Sequence, residues 1–170
     1  MLRPLPQKNI DTGLGFERLA AIMAGQPDAY GTELFQPTIR RVAELSGRPY
    51  EGTSSLSHRV IADHVRAVTF AITDGVLPAN DGAGYVVKML VRRAARHAWL
   101  LGLRDTVLHG LVDQVIAAMG EPYPEIVDGR DRVMGVIETE EEHFLRTLEA
   151  GIERVGNLLS EREGEVLPGD

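Results

Sequence analysis

Cysteine is absent from the 170 residues, which excludes a disulfide framework, a thiolate metal site and a cysteine nucleophile. Long apolar runs are missing too, and nothing approaches the roughly 20 residues that a membrane span requires. The opening segment MLRPLPQKNI lacks the apolar stretch of an export signal, so a cytoplasmic protein is expected. Lysine is scarce. Sixteen of the 18 basic residues are arginine, which suits phosphate recognition and fits a codon bias of the source genome equally well. What is present, 44 % hydrophobic and 25 % charged residues, is enough to bury a core and excludes wholesale disorder. The length suits one ordinary domain or one and a half small ones.

The formal net charge of −7 conceals two unlike parts. Residues 1–120 hold 13 Lys/Arg against 11 Asp/Glu, whereas residues 121–170 hold 5 against 14. Between 82 and 104 the chain carries Lys88, Arg92, Arg93, Arg96 and Arg104 and no acid. A basic segment of this kind is a candidate contact for a polyanion. The acidic end would repel nucleic acid, so an RNA would have to be met by one face only.

Apolar periodicity predicts an all-α helical bundle. The first dozen residues are the exception and read as a short β segment ending in a turn. A first helix is predicted from Leu14 to Gly25, with Leu14, Phe16, Leu19, Ile22 and Met23 on one face. A second runs from a Thr32 cap to Gly47. A third follows the Thr53-Ser54-Ser55 cluster to about Thr73. Residues 74–84 have helix-breaking chemistry throughout and predict a structured loop. A fourth helix is expected from about Tyr85 to Leu101, a fifth over about 105–119, and one long helix or two from Pro124 to Leu159.

Two constellations carry candidate chemistry. In Asp11-Thr12-Gly13-Leu14-Gly15-Phe16-Glu17-Arg18 two glycines allow close backbone approach to a ligand. The helix starting there offers free N–H groups to an anion, Arg18 offers a planar fork to phosphate, and Asp11 can balance an ammonium group. The same octet also reads as a Gly-rich turn with a surface Glu–Arg pair. In the fourth helix Lys88, Arg92 and Arg96 fall at i, i+4 and i+8 with Arg93 and His97 beside them, opposite Val87, Leu90, Val91, Ala94 and Ala98. That is a cationic rail suited to a phosphate backbone, or a solvated helix face. Asn80 precedes it and can both donate and accept.

Other polar residues read as structural. His58 and His64 are six apart, the wrong separation for two ligands on one helical face, and no metal site is expected. His64 beside Asp63 reads as packed or capping. Glu138, Glu140, Glu141 and Glu142 read as a solvated charge run, and Trp99 as core.

The octet resembles motif 3 of the class II aminoacyl-tRNA synthetases. With Pro4-Leu5-Pro6, Lys8 and Asp11-Thr12-Gly13 it is similar to the alanyl branch in particular. The segments Arg59-Val60-Ile61-Ala62-Asp63-His64-Val65-Arg66, Asp74-Gly75-Val76-Leu77-Pro78, Asn80, Gly84-Tyr85-Val86 and Arg92-Arg93-Ala94-x-Arg96-His97 resemble that branch's tRNA-recognition region in order. The likeness runs from residue 4 to about 100 and more loosely from Phe144 to Gly164.

The resemblance implies that residues 1–25 close a catalytic domain, with the β segment in its sheet, and that 26–170 form a helical tRNA-recognition domain. It implies Asp11 and Gly13 at the alanine site, and Gly15 and Arg18 at ATP, Arg18 bracing phosphates during adenylation. It assigns tRNA contact to Asn80, Lys88, Arg92, Arg93 and Arg96, with Asn80 reading the G·U wobble pair of the tRNA(Ala) acceptor stem through its minor groove. ATP and Mg²⁺ would serve a larger enzyme, with alanine, tRNA(Ala) and the enzyme's remaining domains as partners. Motifs 1 and 2 and the editing domain's zinc-ligand set have no counterpart here, so this chain alone is not expected to activate alanine. Ala83 stands where the family usually has Arg, and Lys88-Met89 where it has a basic pair. The alternative is a non-catalytic helical module, descended from a synthetase, that binds RNA or docks on protein.

Overall fold

In the computed structural model the described residues are 7, 9 and 12–161. They are helical, with no strand among them. The β segment expected at the amino end involves residues 1–6, 8, 10 and 11, which lie outside the described residues. The longer elements are α1 (Phe16–Met23), α2 (Gln36–Ser46), α3 (Ser55–Thr73), α4 (Gly82–Leu100), α5 (Val112–Met119), α6 (Pro124–Asp128) and α7 (Arg130–Glu161), with short 3₁₀ turns at Ala29–Gly31, Gly52–Ser54 and His109–Leu111.

The centre is the antiparallel pair α3 and α4. Ser57 near the start of α3 lies 3.0 Å from His97 near the end of α4, as an eight-residue connection between two equal helices requires. Ile61, Val65, Val68 and Ile72 of α3 meet Val87, Val91, Ala94 and Ala98 of α4, and the core is completed by Leu108, Leu111, Val112, Val115, Ile126, Val133 and Ile137. The small residues Ala94, Ala95 and Ala98 let the two helix axes approach closely. α2 adds Val42 to this core, while Phe35 and Ile39 pack with Ala62 in a smaller cluster. Loop 48–54 is tied down by buried His58, whose ring nitrogens face the carbonyls of Ser54 at 2.8 Å and Arg48 at 3.1 Å.

Several boundaries depart from the sequence expectation, each for a local reason. Thr32 does not cap α2; its hydroxyl donates to the Ala29 carbonyl at 2.6 Å and closes the preceding 3₁₀ turn. The fifth helix starts at Val112 rather than about 105, because the amides of Val107 and Leu108 donate to the buried carboxylate of Glu141 on α7 instead of to a helical carbonyl. The glutamates around 140 are therefore not a solvated run as a whole. Glu141 is 1 % exposed and Glu140 is paired with Arg92. Trp99 is only half-buried, with the Arg104 guanidinium stacked 4.2 Å from its ring centroid. The stretch from Pro124 divides in two at Gly129, into the short α6 and the long α7, whose amino half packs through Val133, Ile137 and Leu145 and whose residues 149–160 are exposed.

Candidate functional site

Gly13, Gly15 and Arg18 lie at the entrance to α1, all exposed; Asp11 lies outside the described residues. Gly15 takes φ −62°, ψ 120°, a conformation open to any residue, and Gly13 has no positive φ either. Among the described residues, a Cβ at Gly13 would meet nothing within 4 Å, and one at Gly15 would meet only the Arg18 stem at 3.6 Å. Backbone conformation and packing thus leave both glycines unexplained, while the surface above them stays open. Among the described residues no side chain caps the amino end of α1 at Gly15, and within its first turn the Glu17 N–H bonds that residue's own carboxylate. Its apolar face is uncovered: Ile22 is 72 % and Met23 79 % exposed, with Leu14, Phe16 and Leu19 beside them.

The segment 74–81 is a folded loop. The Ala79 amide donates to the Gly84 carbonyl at 3.0 Å, so the loop turns back onto the first turn of α4. This approach requires glycine: a Cβ at Gly84 would stand 2.4 Å from the Leu77 carbonyl oxygen and 2.6 Å from the Ala79 Cβ. Gly82, at φ +56°, makes the entry into the helix. Asn80 stands exposed at the tip, its Oδ1 accepting from Lys88 Nζ at 2.8 Å.

The face that α4 turns to solvent is not the expected rail. Lys88 is half-buried and engaged with Asn80. Arg92 turns toward α7, its Nε 2.7 Å from Glu140 Oε1, with the two side chains 21 % and 14 % exposed. The outward stripe is Tyr85, Val86, Met89, Arg93, Arg96 and Leu100, apolar at the loop end and cationic farther along. Arg93 and Arg96 are exposed, and no salt bridge engages either among the described residues. The basic residue Arg104 is turned back on its own chain, donating to the Trp99 carbonyl at 2.6 Å.

α3 joins the two regions through residues that spacing alone did not single out. Arg66 donates to Glu17 of α1 at 2.5 Å and lies 4.3 Å over the Phe35 ring. The Glu17 carboxyl is held below the usual carboxylate range by its own backbone N–H and then by Arg66, against the opposing effect of burial. Asp63, one turn earlier on α3, is lowered by its hydrogen bond to His64 and by the charges of Arg66 and Arg93. An open hollow of about 390 Å³, lined in part by Phe16, Glu17, Asp63 and Arg66, lies between α1 and α3. Arg66 on the α1 side and Arg93 on the α4 side thus both act on one carboxylate. Burial and the neighbouring Arg96 and Arg93 charges push the His97 imidazole below its ordinary value, which favours the neutral ring hydrogen-bonded to Ser57. The spacing of Arg59, Asp63 and Arg66 at i, i+4 and i+7 was the available sequence signal for a polar flank on α3. The partner on α1 was not predictable from it.

The family model for class II (A) tRNA synthetases matches residues 1–170. The chain is 54 % identical over 170 residues to an alanine–tRNA ligase of Thermus thermophilus, 49 % over 170 residues to one of Deinococcus radiodurans, and 48 % over 167 residues to one of Thermotoga maritima. These alignments cover 97–99 % of the chain and 19 % of each relative, so the chain spans about a fifth of the length of the relatives it matches.

Proposed function

The chain belongs to the class II tRNA synthetases, and from that premise we propose that it is the part of an alanine–tRNA ligase that joins the activation site to the acceptor-stem interface. In this reading residues 1–25 complete a catalytic domain and residues 26–170 carry tRNA recognition. Asp11 holds the alanine ammonium group and the open surface at Gly13 and Gly15 admits alanine and the nucleotide. Arg18 lays its guanidinium against ATP phosphates as adenylate forms and pyrophosphate leaves. Mg²⁺ enters as the companion of ATP; among the described residues no group of three or more His, Asp or Glu is arranged to hold it. The uncovered apolar face of α1 suits cover by a further part of the same enzyme. Among the described residues no helix is long and apolar enough to cross a membrane, and a cytoplasmic place fits the reading.

The observation that carries the RNA half is the exposed Asn80, held on a glycine-dependent loop at one end of a helix whose outward face carries two exposed arginines that no salt bridge engages among the described residues. Asn80 reads the wobble pair from the minor groove, where the guanine amine lacks a partner on the opposite base. Arg93 and Arg96 meet phosphates. Arg92 has its charge committed within the protein and Lys88 is committed to Asn80, so the phosphate contacts proposed here number fewer than the rail suggested. The test is titration of an alanine-tRNA acceptor-stem hairpin, in G·U and G·C versions, at two salt concentrations. The G·U version should bind more tightly, and Asn80→Ala should cost it selectively by about 1–3 kcal/mol if base-edge contacts in DNA are a guide. Equal loss for both versions removes Asn80 from the reading role. Failure of the chain to bind either version sinks the RNA half.

A further inference from the structure

We propose that Lys88 is a positioning residue: its ammonium locks the amide of Asn80 and so sets the hydrogen-bonding edge that the loop offers to a minor groove. The inference rests on the reading of Asn80 above and deepens it. Lys88 Nζ stands 2.8 Å from Asn80 Oδ1. An ammonium only donates, so the amide atom it meets is the oxygen, and the orientation with the oxygen turned away is disfavoured. Lys88 also has the right place on α4. It is half-buried beside buried Val87, while Met89, Arg93 and Arg96 take the exposed stripe; its reach is back toward the loop rather than out toward a polyanion.

The backbone under Asn80 is already pinned, since the Ala79 amide bonds the Gly84 carbonyl and glycine at 84 lets the loop sit on the helix. The freedom left at position 80 is side-chain rotation, and Lys88 removes much of it. With Oδ1 anchored, a second lone pair and the amide N–H groups remain to bond a ligand. Those groups complement the minor-groove edge of guanine, where the exocyclic amine donates and N3 accepts. An unlocked amide would present donor and acceptor in either order and would lose more rotational freedom on binding. The lock therefore acts on discrimination between base pairs, whereas a phosphate contact acts on all sequences alike.

Lys88→Met keeps an unbranched apolar stem and removes the donor; Lys88→Arg restores one. Two readouts separate the lock from the reading it serves. In the free 170-residue chain the side-chain NH₂ resonances of Asn80 should move toward those of a freely rotating amide in Lys88→Met and stay near wild type in Lys88→Arg. In hairpin titrations Lys88→Met should weaken the G·U version about fivefold to tenfold, leave the G·C version within about twofold and keep the salt slope, with Lys88→Arg recovering the loss. Equal weakening of both hairpins with a slope reduced by about one makes Lys88 an ordinary phosphate contact and overturns the proposal. Unmoved Asn80 resonances in Lys88→Met overturn it as well. If Asn80→Ala, measured alongside, shows no selectivity, the reading of Asn80 falls, and the amide resonances still decide the lock.

Discussion

Arg92 and Arg93 are adjacent in sequence, yet a helix turns about 100° per residue and sends their side chains to different neighbours. Arg92 meets Glu140 on α7, in a pair that water reaches only in part; Arg93 stays in solvent. Arg92→Ala should accordingly cost stability, about 2 kcal/mol in urea denaturation, an amount between exposed and buried pairs, and should leave the salt slope of RNA binding nearly unchanged. Arg93→Ala and Arg96→Ala should do the reverse, each lowering the slope by about one with little change in the unfolding midpoint. Glu141 gives a second residue-scale prediction. Burial raises its carboxyl to about 7, against the opposing pull of the Val107 and Leu108 amides. A folded-state value above the unfolded one means the folded protein holds the proton more tightly. Its contribution to stability is full below about 4.5 and is lost as the pH rises through 7. The loss is on the order of 3 kcal/mol. Glu141→Gln keeps an acceptor oxygen without the charge, so its stability profile from pH 4 to 8 should be flatter and its stability at pH 8 higher. A wild-type profile already flat over that range would contradict the assignment.

At the scale of elements, the loop 74–81 and the first turn of α4 act as one unit. The helix begins at Gly82 rather than Tyr85, because the loop folds onto it through the Ala79–Gly84 bond. Glycine chemistry announced a loop there, but it could not say that Gly84 serves contact rather than conformation. A methyl at 84 has to displace the Leu77 carbonyl and Ala79. Gly84→Ala should therefore destabilise by about 1–3 kcal/mol, as overpacking does, and should abolish G·U preference before it abolishes binding, because Arg93 and Arg96 stay in place. Selectivity retained at full strength would show that the loop's position does not matter. Likewise periodicity starts the fifth helix too early, because nothing local reveals that the amides of Val107 and Leu108 are taken by a glutamate more than thirty residues away.

Across the whole molecule, stability is concentrated where α3 and α4 pack. Their facing residues are all buried, whereas residues 149–160 of α7 are exposed. Amide exchange should report this directly: protons of Val65–Ile72 should open only near the global unfolding free energy, and those of 150–160 at close to zero cost. Slow exchange along the far half of α7 would mean that it is covered in solution. The order of helices, their apolar faces, the structured loop and the basic character of α4 were legible in one dimension, because a period of 3.6 residues and the chemistry of glycine and proline act over a few neighbours. The family was legible as well, from short ordered blocks. Tertiary structure alone decided which charges are spent. The pairing of Arg92 with Glu140, of Arg66 with Glu17, of Lys88 with Asn80 and of Glu141 with two amides depends on how helices rotate about their axes and which of them meet, and that is settled by the packing of apolar side chains on their opposite faces.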